Sequence, residues 1–239
     1  MTLTSTATGG AVLVAFSTRV DGDLALAQSA NRARFYQRLG VDPSHVVAAE
    51  QVHGANVARV GRADRGRVVP ETDALIADEP EVYLALVFAD CVPIVLHDPV
   101  RRAVAAVHAG WRGTAAHIAA RAVAEMRASF GSDPANLRAT FGPAIGRCCY
   151  EVSADVADAV QATVPDAVVV AAGPRGRPLL DLPAANRAQL LTAGLVPRHL
   201  AWRVCCTSCQ VDRYFSHRAE AGQAARMAAL VGLRGEGET

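Results

Sequence analysis

The chain has no lysine: all 24 of its Lys and Arg positions are arginine. A lysine Schiff base and a Walker-type phosphate lysine are therefore excluded. No apolar run reaches the roughly 18 residues of a membrane span, so no membrane partner is expected. The start, Met1-Thr2-Leu3-Thr4-Ser5-Thr6, lacks the basic and long apolar regions of a secretory signal. Net charge is only +1, without the basic excess of a nucleic-acid clamp. Histidine is sparse, at positions 45, 53, 97, 108, 117, 199 and 217, and no two lie two residues apart. There is no internal repeat, low-complexity tract or linker. The expectation is one cytoplasmic domain over residues 1–239, with a core of about 11–233, working as a monomer or homodimer.

What is present suits a globular core. Apolar residues make up 51% of 239 positions, and a chain of this length buries roughly 70–75% of its unfolded surface. No disulfide or metal staple is needed to fold it. The six cysteines belong in a reducing compartment, where cysteine serves as core filler, metal ligand or nucleophile.

Apolar patterning predicts a mixed α/β domain. Strands are expected at 11–16, near 45–50 and 55–60, at 75–77, 83–88, 92–97, 103–107, 137–141, 167–171 and 200–204. Helices are expected at 24–39, closed by Gly40, at 114–130, where Ile118, Ala122, Met126 and Phe130 form one stripe before Gly131, near 152–163, at 184–194 and at 219–233. Residues 61–72 read as a loop, and the last six as frayed.

Three segments carry chemistry: Gln51-Val52-His53-Gly54, Ala89-Asp90-Cys91-Val92-Pro93 and Val107-His108-Ala109-Gly110-Trp111-Arg112-Gly113. Each sets a ligating or nucleophilic side chain at a strand end beside a turn, where α/β proteins build sites. Two imidazoles and a thiolate can make a tetrahedral zinc site with one open position, in which a bound water loses its proton near neutral pH. The spacings match no compact zinc motif, and two hydrogen-bonded histidines with a buried thiol remain an alternative. Asp73 and Asp90 are the nearest carboxylates; Asp90 alternates away from Cys91 and reads as a supporting residue. Cys206-x-x-Cys209 lacks a second pair or a nearby histidine and reads as buried thiols. Cys148 and Cys149 are expected to pack beneath a glycine-rich loop.

Taken in order, these segments, together with Phe141-Gly142-Pro143-Ala144-Ile145-Gly146 and Cys149-Tyr150-Glu151-Val152, resemble the laccase-domain family. That family is also called the polyphenol oxidase, purine nucleoside phosphorylase or peptidoglycan editing factor family. The resemblance covers about residues 11–233. It implies a layered mixed α/β fold similar to cysteine hydrolases, and a zinc held by His53, Cys91 and His108, which would also be the catalytic set. It implies phosphorolysis of adenosine, inosine and methylthioadenosine, with adenosine deamination as a second activity.

The residues bear on the family's competing names. Copper is the alternative metal, but no His-x-His pairs exist to build a trinuclear cluster. The deaminase pattern of His-x-Glu with Pro-Cys-x-x-Cys is missing too. For phosphate, Gly110-Trp111-Arg112-Gly113 leads into a helix start whose N–H groups favour an anion, and Arg112 adds a bidentate donor. Arg32, in an Asn-Arg pair the family also carries, is a second candidate for substrate contact. A metal-free Cys91–His108 hydrolase or amidase, suited to cell-wall precursor editing, is the rival reading. Departures from the family occur near residues 17–24 and at Ala224-Ala225-Arg226, away from the three ligand positions.

Overall fold

The computed structural model describes residues 3–7, 12–164, 168–202 and 205–235. Expected strand ends at Ala11, Ala167, Arg203 and Val204, and the tail from 236, lie outside the described residues. The elements, in chain order, begin with β1 (Leu3–Ala7), β2 (Val12–Phe16), α1 (Ser29–Arg38), β3 (Val46–Ala49), β4 (Val57–Arg59), β5 (Val68–Val69) and β6 (Ala74–Ala77). Then come β7 (Tyr83–Phe88), β8 (Val92–Asp98), β9 (Ala103–Ala109), α2 (Trp111–Ala115), α3 (Ile118–Phe130), β10 (Arg138–Phe141) and α4 (Ala154–Gln161). β11 (Val169–Ala172), β12 (Pro178–Leu180), α5 (Leu182–Thr192), β13 (Leu200–Trp202) and β14 (Met227–Leu233) complete the set.

Two six-stranded mixed sheets result, ordered β1-β2-β14-β7-β3-β5 and β13-β10-β8-β9-β6-β4, with β11 and β12 as a separate hairpin. Strand alternation shows how they stack. On β6, Leu75 and Ala77 join a core with Val14, Phe16, Leu84, Phe88, Met227 and Val231 of the first sheet. Ala74 and Ile76, one residue out of phase, face Ile118, Ala122 and Met126 of α3. The period of two therefore sends one half of each strand between the sheets and the other half outward. α1 covers the outer face of the first sheet through Phe35 and Tyr36. α3, α4 and α5 cover the second. The expected layered architecture of mixed sheets flanked by helices is present. No described helix is long and apolar enough to cross a membrane.

Four expectations need correction. The helix expected at 219–233 is instead turns followed by β14, buried along its whole length between β2 and β7. Its run Met-Ala-Ala-Leu-Val-Gly-Leu is apolar on every side, and such a short run does not distinguish helix from central strand. Gly232 lies opposite Tyr83, whose Cδ1 a Cβ would approach to 2.3 Å. The helix expected at 114–130 starts earlier and breaks: α2 begins at Trp111, and His117, at φ 62°, separates it from α3. The 24–39 helix begins only at Ser29, and the 61–72 loop contains β5.

Candidate metal centre

Register brings Cys91 and His108 together. Pro93 on β8 pairs with His108 on β9, so Cys91, two residues before Pro93, is the diagonal neighbour of His108 on the same face. Asp90 sits at φ 85°, turning the chain into β8. Its carboxylate accepts from Thr207 Oγ1 at 2.5 Å and from the Arg218 N–H at 2.7 Å. Asp90 thus holds the turn, in keeping with the supporting role expected of it.

His53 arrives from the crossover between β3 of the first sheet and β4 of the second. It too has a left-handed backbone, φ 59°. The ligating atoms of His53, Cys91 and His108 all lie within 4.8 Å of one another. The two imidazole rings meet edge-on, centroids 4.9 Å apart at 78°. His108 is buried and His53 exposed, so the group opens to solvent on one side.

Asp73 organises the set. Its Oδ1 accepts from His108 Nδ1 at 2.8 Å. Its carboxylate also takes the N–H groups of Val52, His53 and Gly54 at 3.2, 3.0 and 2.7 Å. One side chain therefore shapes the His53 loop and leaves His108 Nε2 facing the centre. Burial would raise the Asp73 carboxyl, but His108 and the loop amides hold it below the usual range. Burial would likewise raise the Cys91 thiol; His108, through charge and a hydrogen bond, and then His53 bring it down to about 6. Burial disfavours the His108 cation, yet Cys91 and Asp73 push that imidazole up to about 9. Cys91 is thus held as a thiolate, the ionised form that ligates a cation, and a cation bound here would displace the proton His108 holds.

Gly110 gives the group its room. A Cβ there would lie 3.1 Å from Cys91 Sγ and 3.2 Å from His53 Cδ2. Gly113 has a packing reason: its Cβ would meet the Gly54 carbonyl oxygen at 2.7 Å. α2 is anchored from behind, with Asn186 Nδ2 donating to Thr114 Oγ1 at 2.9 Å and Gln189 Nε2 to the Thr114 carbonyl at 2.8 Å. Arg112 is exposed, its guanidinium 4.4 Å above the Trp111 ring. Arg32 lies on α1, donating to Tyr36 Oη at 3.2 Å and to the Leu26 carbonyl at 3.3 Å.

Tyr150 and Arg218 were not singled out by the sequence as neighbours of this centre. Arg218 lies 5.2 Å over the Tyr150 ring and donates to the Glu151 and Cys149 carbonyls at 2.8 and 3.3 Å. Burial raises the Tyr150 phenol, and the charges it feels next include Cys91, Arg218 and Arg112. Only the segment Cys149-Tyr150-Glu151-Val152 hinted at Tyr150, since the contacts to Arg218 join positions 67 and 69 residues apart.

A family profile described as multi-copper polyphenol oxidoreductase laccase matches residues 13–234. The chain belongs to that family. It is 41% identical over 216 residues to a protein of Geobacillus stearothermophilus named purine nucleoside phosphorylase YlmD, covering 86% of this chain and 78% of that one. It is 41% identical over 199 residues to purine nucleoside phosphorylase SCO2081 of Streptomyces coelicolor, covering 83% and 80%. The crystal structure of YlmD from G. stearothermophilus superposes with a TM-score of 0.87 at 36% identity, over 94% of this chain and 93% of that one. Protein NMB0706 of Neisseria meningitidis superposes at 0.82 with 31% identity, over 98% and 99%.

Proposed function

We propose that this chain is a zinc-dependent purine nucleoside phosphorylase of the cytoplasm. It would convert adenosine, inosine and methylthioadenosine to free base and the corresponding sugar 1-phosphate. The observation that carries the reading is the convergence of His53, Cys91 and His108, with Asp73 bound to His108 Nδ1. The names of the relatives above support the substrate class.

Two imidazoles and one thiolate suit zinc, which would act as a Lewis acid through its open position. The chain's own residues supply the rest. Asp73 fixes the His108 tautomer and the His53 loop, a role that carboxylates partnering ligand histidines commonly play. Arg112 and the first N–H groups of α2, with Gly110 and Gly113 in that turn, would receive phosphate, since helix starts leave those donors unpaired. No carboxylate pairs with Arg112 among the described residues, which suits an arginine awaiting an anion. Arg32, engaged with Tyr36 and Leu26, would contact substrate only by leaving those partners.

Copper is the weaker assignment. The described His, Cys, Asp and Glu residues form two groups able to hold a metal, and only one contains histidine. Adenosine deamination is subordinate too, because it needs a proton-transferring group. Asp73 and Asp90 are both committed to other hydrogen bonds.

The test is metal content and turnover measured together. Wild type should lose zinc at this centre on Cys91→Ala and release adenine from adenosine only with phosphate. Full phosphorolysis in Cys91→Ala, or after exhaustive chelation, would overturn the reading. One observation favours a second reading: without metal, Cys91 at about 6 and His108 at about 9 make a thiolate–imidazolium pair, as a Cys–His hydrolase or amidase requires. That version predicts inactivation by a single alkylation at Cys91 and full activity in chelator.

A further inference from the structure

Four cysteines outside the centre converge on one point. Cys148 and Cys149 follow β10; Cys206 and Cys209 follow β13. Their sulfurs all lie within 4.8 Å of one another. Cys209 Sγ is 3.5 Å from Cys148 Sγ and 3.3 Å from Cys149 Sγ. All are free thiols, and Cys148 and Cys209 are exposed. The sequence-based expectation of buried thiols is thus corrected: the partner pair that Cys206-x-x-Cys209 lacked nearby is supplied by the fold from 57 residues upstream.

We propose that these four cysteines form a second zinc site, structural and distinct from the His53–Cys91–His108 centre. Zinc–sulfur bonds of about 2.3 Å set tetrahedral sulfur separations near 3.8 Å, close to the 3.5 and 3.3 Å from Cys209 Sγ to Cys148 and Cys149, with no pair beyond 4.8 Å. The surroundings fit a metal thiolate. The Gly146 N–H donates to Cys206 Sγ at 3.2 Å. Gly146 also admits the cluster, since a Cβ there would lie 3.2 Å from Cys206 Cβ and 3.3 Å from Cys148 Sγ. Four sulfur ligands leave no open position, so the site is of the closed, structural kind. Zinc with four thiolates carries net −2, and each thiol releases its proton on loading.

The site would join two irregular segments. One carries Tyr150; the other carries Thr207 and Arg218, which grip the Asp90 turn beside Cys91. A metal here would fix the frame against which Cys91 is placed.

The experiment is zinc per chain, by elemental analysis of protein purified without added metal. The expected values are about two for wild type, about one for Cys206→Ser/Cys209→Ser and about one for Cys91→Ala. Cys91→Ala protein isolates the four-cysteine site, so failure of the two sites reads differently. One zinc in wild type and none in Cys91→Ala would overturn the proposal and leave the first centre intact. One zinc in wild type and one in Cys91→Ala, lost with the cysteine pair, would support it and remove the first centre. Should the double variant misfold, cobalt loading of Cys91→Ala decides: a tetrahedral tetrathiolate spectrum supports the site. Absence of thiolate-to-cobalt charge transfer, with disulfides found by mass, overturns it.

Discussion

Asp73 Oδ1 sits 2.8 Å from His108 Nδ1, and the same carboxylate takes three backbone amides of the loop that presents His53. His108 on β9 and His53 on the β3–β4 connection are therefore positioned by one side chain. Asp73→Asn keeps the size and an accepting oxygen but loses the charge. Losing such a partner commonly costs 10- to 100-fold in metal affinity or activity, and about that loss is expected here. Zinc titration against a competing chelator measures it, with circular dichroism as the control for folding. Wild-type affinity in Asp73→Asn would refute the role.

Gly110→Ala tests the room for the metal rather than its ligands. Its backbone, φ −74° and ψ 172°, suits alanine, so any defect comes from the added methyl. That methyl would press on Cys91 Sγ and His53 Cδ2, which must give by a few tenths of an ångström. Zinc affinity and turnover should fall about tenfold or more, since roughly 1.4 kcal/mol of misplacement is a factor of ten. The melting temperature of the apo protein should barely move.

The periodic parts of this fold were legible and the parts fixed by distant contacts were not. Strands β7 to β9 follow from continuous apolar runs, because both faces of each are covered. His53, Cys91 and His108 stand out in the sequence because glycine and proline mark the turns beside them, and the fold brings the three together. β14 was misread because Met-Ala-Ala-Leu carries good helix formers, and burial between β2 and β7 overrides propensity. The break at His117 depends on a left-handed residue that no local rule singles out. The four-cysteine cluster was missed for a related reason: 57 residues separate the two pairs, and parallel pairing of β10 with β13 brings them together.

His97 gives a pH prediction away from both sulfur clusters. It lies buried on β8, opposite Arg138 on β10, and its Nδ1 has no hydrogen-bond partner among the described residues. Burial, then Arg138, push the imidazole down to about 4, with Asp98 pulling the other way. An unfolded histidine titrates near 6.5, so below that pH the unfolded chain binds the proton the folded chain refuses. Stability should be intact above about pH 6.5 and decline as pH falls toward 4. The loss attributable to His97 should reach about 2 kcal/mol by pH 5. In His97→Leu this component vanishes. The gap between variant and wild-type melting temperatures should widen by roughly 4–8 °C between pH 7 and pH 5. Parallel curves would show that His97 carries no such load.

Arg112→Ala separates phosphate capture from metal binding. The side chain is exposed, rests on Trp111 and lacks a carboxylate partner among the described residues, so its removal should leave stability within about 0.5 kcal/mol. A charge-assisted contact to an anion is worth about 1.5–3 kcal/mol, or roughly 10- to 100-fold. The KM for phosphate should rise by that factor. Zinc content should not change, because the guanidinium is not among the three proposed ligands. The KM for nucleoside should change less than that for phosphate. If instead the nucleoside KM rises while the phosphate KM stays fixed, Arg112 contacts the sugar or base, and the anion must be held by other donors.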